Sequence, residues 1–326
     1  MKQPEIIAFT AVFILLLSAS VPIAGGLRAA GTVLIAEIQP GDRVKHTTTV
    51  SINEDDPLTN ITAEVFGLGQ SLDGTTQLLG SEEDTSPYSL REHFSATPST
   101  FHLEPGQSQS VALSGRMPVG VGSGTRYAVM HIETEPHGNG TVGIALAINV
   151  PIALTILRTK LVQTGNITNM DLVNATEGLV GQVIFKNTGN HHYRAQAWST
   201  LSNEAGFVVA NFTTQVTNSS IIPPYSFQFL SPLAAEELSP GTYLLNVTVR
   251  RDDGAFLDED SKAFSIGLDG NVTGFKPLEI ASETAADIAL SDNETANATR
   301  NETVAEVGEV MTTGASGQML GKSEEA

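Results

Sequence analysis

An all-β chain of two tandem sandwiches is what this sequence predicts, and three features predict it. Apolar residues alternate with polar ones in short runs, as in Val44, His46, Thr48, Val50 and Ile52 against Lys45, Thr47, Thr49, Ser51 and Asn53. A period of two is the signature of a half-buried strand. Turn residues punctuate the runs at short intervals, as at Pro40-Gly41-Asp42, Pro105-Gly106, Asn187-Thr188-Gly189 and Asp252-Asp253-Gly254. Finally, 326 residues with 40% hydrophobic content have room for two cores.

The N-terminus comes first. Ile6 to Gly26 carries no charge, Ala11 to Leu17 (AVFILLL) is its apolar centre, and Lys2 precedes it. This pattern reads as a signal peptide or an uncleaved signal anchor within residues 1–30. Small residues suit cleavage near Ala24-Gly25-Gly26 or at Arg28-Ala29-Ala30. If uncut, the segment tethers the chain to a membrane. Either way the remainder is expected outside the cell, secreted or tethered.

Residues 31–156 form the first expected sandwich. Thr32 to Ile38 is a strand, and the alternating run from Val44 is the next. Ile61, Ala63 and Val65 lead a third, followed by a long polar loop from Gly67 to Tyr88 with one apolar patch at Leu78-Leu79. Val111 and Leu113 mark a strand after the Pro105-Gly106 turn. A loop with Gly120, Gly122 and Gly124 leads to the run around Tyr127 to Ile132, apolar on both faces and therefore central. Val142 to Ile156 closes the unit, with Pro151 as a bend or strand end. About seven strands over this length fit an Ig-like sandwich.

Residues 157–267 form the second. Its expected strands are Gly178–Phe185, Tyr193–Leu201, Phe207–Ala210, Tyr225–Leu230, Gly241–Val249 and Ala263–Ile266, with Trp198 on a partly exposed face or capping a sandwich end. Residues 268–326 form an acidic tail without periodicity. From 281 onward it holds acids from Glu283 to Glu325, only Arg300 and Lys322 as bases, and no aromatic. Such a composition does not offset its ordering entropy and is expected to be disordered.

Composition excludes some functions. A net charge of −19 offers no basic stripe for a nucleic acid. With no cysteine, the chain has neither disulfides nor a lipid-anchoring thiol. Sequons (Asn-x-Ser/Thr) begin at Asn60, Asn139, Asn166, Asn174, Asn211, Asn218, Asn246, Asn271, Asn293, Asn297 and Asn301, far above the roughly three that chance gives. They point to a glycosylated surface protein, and with the acidity to an archaeal cell surface.

No catalytic, cofactor or metal site is expected. Gly317 to Ser323 has its first glycine one residue too close for a phosphate loop. His191-His192 are expected as loop histidines whose rings point to opposite faces, and Asp253, Asp258, Glu259 and Asp260 as a solvated acidic hairpin rather than a calcium site.

Two strings carry a family resemblance. The first runs Pro98, Phe101, Leu103, Pro105, Gly106, Ser108, Val111, then Pro118, Gly124 and Tyr127. It resembles the later half of a PapD-like sandwich, the fold of pilus chaperones and of the first domain of WxL-interacting surface proteins. The second, Val183-x-Phe185-x-Asn187-Thr188-Gly189-Asn190 with Pro240-Gly241-Thr242-Tyr243 after it, resembles the Ig-like domains of archaeal surface proteins and the partner-facing domain of WxL-interacting proteins. The resemblance implies a non-enzymatic protein of the cell envelope that contacts another envelope protein or a surface glycan. The alternative it implies is a secretion or assembly chaperone. Pilus chaperones anchor their client with a basic pair, and no such pair aligns here.

Overall fold

In the computed structural model, residues 26–136, 144–175, 178–233 and 238–273 are described. The expected leader up to residue 25 and the tail from residue 274 lie outside the described residues. The architecture is all-β, two sandwiches in series.

In the first sandwich, one sheet has the order β1 (Arg28–Ala30), β3 (Arg43–Ser51), β8 (Ser108–Arg116), β6 (Phe94–Thr97). The facing sheet has the order β2 (Leu34–Ile38), β10 (Ala147–Ile156), β9 (Thr125–Thr134), β4 (Thr59–Gln70), β5 (Thr76–Leu79), and β7 (Thr100–Leu103) pairs with β4 as well. Alternation decides which side chains meet between the sheets. Val50, Val111 and Leu113 project from one sheet, and Ile61, Met130, Ile132, Ile152 and Leu154 from the other, all closed to solvent.

The second sandwich sets β11 (Gly165–Ala175), β12 (Gly178–Asn187) and β15 (Ser226–Leu233) against five strands. These are ordered β14 (Val208–Thr213), β13 (Ala195–Asn203), β16 (Gly241–Arg251), β17 (Phe256–Ile266), β18 (Val272–Thr273). Leu172, Val183, Phe185, Leu201, Val247 and Val249 fill its core. The Ser199 and Ser231 hydroxyls satisfy each other across it at 2.9 Å.

Several expectations are corrected. The supposed polar loop from Gly67 to Tyr88 starts as the end of β4 and continues as β5, with Leu68 opposite Leu78. Pro151 lies inside β10, where the lack of an N–H costs no ladder bond because, among the described residues, no second strand pairs with it there. Arg28–Ala30, counted with the leader, pairs with Ser51–Thr49, and Val272–Thr273, counted with the tail, pairs with Ile266–Ser265. Both pieces are too short to show a period. β11 was missed because its Asn- and Thr-rich run keeps only Met170, Leu172 and Val173 inside, with a register shift after Ile167.

Two core truncations test this packing. Leu154→Ala and Phe185→Ala are expected to destabilise by about 2–5 and 3–5 kcal/mol. Urea unfolding checks both, and the single tryptophan, Trp198 in β13, reports the second sandwich by fluorescence. The midpoint should fall while the slope holds.

Candidate functional site

β10 is paired unevenly. β9 flanks it from Ala147 to Thr155, whereas β2 runs beside it, in parallel, only from Ile152 to Ile156. Among the described residues, the outer edge of Ala147–Pro151 therefore has no neighbouring strand. Half of the backbone groups there point away from β9, as in any edge strand. The segment is held firmly from behind: Val150 is fully buried and Ile148 half-buried against the core. Its outward residues, Ala147, Asn149 and Pro151, are exposed. Asn149 Oδ1 lies 2.7 Å from His131 Nδ1 on β9, and the His131 ring stands edge-on to Phe66 at 5.8 Å. Exposed apolar side chains mark both ends of the free segment, Ile144 at one and Val33 with Ile35 at the other.

A second set of contacts fixes the two sandwiches to each other. Gln70, 7% exposed, donates from Nε2 to the Ser220 carbonyl at 2.8 Å and accepts from the Ile222 N–H at 3.0 Å. One amide thus replaces a pair of backbone partners across the junction. Nearby, Leu72 O accepts from Gln228 N at 2.7 Å, and the Tyr88 hydroxyl donates to Gly189 O at 2.9 Å. Asn190 O accepts from Thr125 N at 2.8 Å, and its side chain donates to Ser123 Oγ at 2.9 Å. Gly124, at φ 95°, faces this contact; a Cβ there would sit 2.1 Å from Asn190 O, so only glycine fits. Ile222 packs with Leu68, Tyr127 and Val129, which explains why β9 is apolar on both faces.

His191 and His192 sit in this junction. Their rings lie 4.3 Å apart on the same side of the chain, correcting the expectation that they diverge; the turn at Asn187–Asn190 is not a strand with period two. His191 Nδ1 lies 2.6 Å from Thr125 Oγ1, and His192 Nδ1 lies 3.0 Å from the Tyr127 hydroxyl. Burial, helped by His191, pulls the His192 pKa down to about 4, and burial lowers that of His191 as well. Asn187, fully buried, ties the same turn by donating to His191 O and Ile221 O.

The nearest candidate for a basic anchor is Arg126, 6% exposed. Its Nη1 donates to Ser123 O and Thr125 O and its Nη2 to Gly122 O, while the guanidinium lies 5.1 Å from the centre of the Tyr88 ring. It is committed to the junction. The acidic hairpin is dispersed too: Asp253 pairs with Arg251, and Asp258 accepts from Ile167 N at 2.7 Å.

Of the sequon asparagines, Asn60, Asn166, Asn211, Asn218 and Asn271 are exposed, and Asn246 is half-buried. Asn60 donates to Glu135 at 2.8 Å, and Asn246 accepts from Ser261. Asn211 and Asn246 share Thr200 as cross-strand partner on the outer face of the five-stranded sheet. Asn174 lies in β11, and Asn139, Asn293, Asn297 and Asn301 fall outside the described residues. Sequence reasoning missed Gln70 and the half-covered edge, since neither leaves a local motif.

No family model and no curated protein matches the chain. Solved structures with a similar strand plan are fimbrial chaperones. One is the chaperone–tip adhesin complex of CFA/I fimbriae biogenesis, 12% identical, covering 74% of this chain and 98% of that one, with a TM-score of 0.35. Another is the CsuC–CsuE chaperone–tip subunit pre-assembly complex of Acinetobacter baumannii, 10% identical over 73% and 97%, TM-score 0.37. A PapD-like domain of human CEP192 is 13% identical over 41% and 87%, TM-score 0.27. At these identities the likeness is one of fold.

Two outcomes test the junction. Gln70→Leu strips partners from Ser220 O and Ile222 N, at roughly 1–3 kcal/mol for each buried group. Hydrogen exchange should show faster exchange at the Ile222 amide and little change at Val183 in the second core. For acid, the unfolded His192 titrates near 6.5 and the folded one near 4, so below 6.5 the unfolded chain holds the extra proton. Its contribution is complete above about pH 6.5 and is lost as pH falls toward 4. Thermal melts should show Tm dropping across that window, and His192→Gln should flatten the drop.

Proposed function

We propose that this chain is an exported, non-enzymatic protein that captures an extended segment of another envelope protein by adding it as a strand beside Ala147–Pro151. The observation that carries this reading is the half-covered β10 edge. An incoming strand would continue the sheet where β2 leaves off, taking backbone hydrogen bonds from β10. Val33 and Ile144 would offer apolar contact at its two ends. A sheet edge preformed by a packed core lowers the entropy cost of capture. The junction holds the second sandwich at a fixed angle beside it.

Such capture is what an assembly or secretion chaperone does, and this reading fits the geometry better than a free-standing structural surface module. Two departures shape it. The outward face of the free segment, Ala147, Asn149 and Pro151, is small and polar rather than a row of large apolar groups. Arg126 is occupied by carbonyls, so the client is held by its backbone rather than by a charged end. A glycan partner has less behind it: the one tryptophan is half-exposed, and one face of its ring is taken by the Arg250 guanidinium 5.7 Å from its centre. Export follows from the leader pattern, and the exposed sequons, Asn60, Asn166, Asn211, Asn218 and Asn271 foremost, are the places for glycans.

The experiment is site-specific photocrosslinking in the native envelope, with the photoreactive residue at Asn149 or, as control, at Thr213 on β14. One discrete partner band from position 149 is expected, and Ala147→Pro, which removes an outward N–H from the free segment, should weaken it. With the purified partner, the amides of Ala147 and Asn149, which point away from β9, should exchange at least tenfold more slowly. Equal crosslinking from both positions, or unchanged exchange, refutes strand addition at this edge.

A further inference from the structure

The chain enters the fold at Gly26, and what receives it is a carboxylate. Asp56, in the turn after β3, is 7% exposed. Gly26 N sits between its two oxygens, 3.2 Å from Oδ1 and 3.1 Å from Oδ2, and Asn53 N donates to Oδ2 at 2.6 Å. No lysine, arginine or histidine among the described residues forms an ion pair with it. Asp56 is thus a buried carboxylate with backbone partners and no countercharge, an arrangement that is costly unless a cation completes it.

The geometry at Gly26 suits an ammonium better than an amide. A single amide hydrogen divided between two oxygens serves neither well, whereas an –NH3+ group has a hydrogen for each and one to spare. The Asn53 side chain also closes over this residue: a Cβ on Gly26 would lie 2.6 Å from Asn53 Nδ2 and would require that side chain to swing away. From the next residue on, the chain is engaged. Leu27 packs against the first core, and Arg28–Ala30 pairs with β3. Before it, the sequence has the apolar run Ala11–Leu17 and then the small residues Ala24 and Gly25.

We infer that Asp56 is the seat of a processed N-terminus, created when a leader-cleaving peptidase cuts the Gly25–Gly26 bond. Hydrolysis adds one water across that amide, leaving a carboxylate on Gly25 and an α-ammonium on Gly26. The ammonium then pairs with Asp56, cancels the buried charge and secures β1 to the sandwich. Of the two cleavage zones open to the leader, this selects the first. A cut among Arg28, Ala29 and Ala30 would sever β1, and a cut after Gly26 would remove the residue that Asp56 holds. The inference rests on the export reading.

The test pairs the native terminus with its energetics. N-terminal sequencing and intact mass of the protein from its native host should find a chain beginning at Gly26. Recombinant Gly26–Ala326 with a free amine should then exceed its N-acetylated form in stability, by roughly five- to thirtyfold in the unfolding constant. Asp56→Asn should erase the difference between the two forms, which a merely structural turn residue would not do. The free-amine advantage should also fade as pH rises through the α-ammonium's pKa, raised by the pairing above its usual range near 8. An exported chain that begins at Leu27 or Gly31, or that keeps its leader as an anchor, overturns the seat and leaves export standing. So does equal stability of the two forms. An uncut chain in the cytosol overturns both.

Discussion

The first strand changes sheets at Gly31, and much of the molecule depends on that switch. β1 runs antiparallel to β3 in one sheet; after three intervening residues β2 begins in the facing sheet, parallel to β10. Gly31 has φ 75°, and a Cβ on it would meet the Thr47 carbonyl at 2.5 Å, so a side chain is excluded by backbone. Its own carbonyl accepts from Thr48 Oγ1 at 2.8 Å. Because this crossing consumes the start of the chain, β2 reaches β10 late and covers only its second half. The open edge beside Ala147–Pro151 and the anchoring of Gly26 at Asp56 are two results of one topological step.

Buried polar groups do the work of orienting the sandwiches. Gln70 satisfies two backbone groups across the junction, while Asn187 and the half-buried Asn190 brace the turn of the second sandwich that packs there, Asn190 also reaching Ser123 Oγ. Their value is less in net stability, since each bond replaces one to water, than in the cost of every other arrangement. A rotation of one sandwich would strand the Ile222 N–H and the Ser220 carbonyl together. Apolar contacts alone, such as Ile222 on Tyr127 and Val129, would tolerate sliding. The amide side chains convert a greasy contact into a fixed angle, and a strand held at β10 would therefore meet the second sandwich in one orientation.

Much of the fold was legible because alternation is a local signal. β3, β8, β9, β12, β13 and β16 each place buried residues two apart, and their turns carry glycine or asparagine where the backbone needs it. What was illegible depended on distance. β11 hides its inward Met170 and Leu172 among asparagines, and β5 has only four residues. The apolar outer face of β9 was visible as a pattern, but its reason, contact with Ile222 from another domain, was not. The candidate site was less legible still. An open edge is a missing neighbour, and no residue type spells that out. Asp56 sits in the polar run Asn53 to Pro57, and nothing local there points to its partner Gly26, 30 positions away.

Open edges invite indiscriminate pairing, and β14 and the free part of β10 are treated differently. β14, at the edge of the five-stranded sheet, exposes its own Val208 and the preceding Phe207 and carries the Asn211 sequon. A glycan there would bar approach by bulk. β10 lacks a sequon and limits pairing by chemistry: Pro151 cannot donate, and Asn149 and Ala147 give an intruding strand no apolar purchase. Only about five residues are available, fewer than the nine shared by β9 and β10. A segment that short binds only if its own side chains add to the backbone ladder, at Val33 or Ile144 for example. The net charge of −19 further disfavours self-association between copies. An edge that is short, partly blocked and rigidly backed discriminates among partners, whereas a long apolar one would accept any.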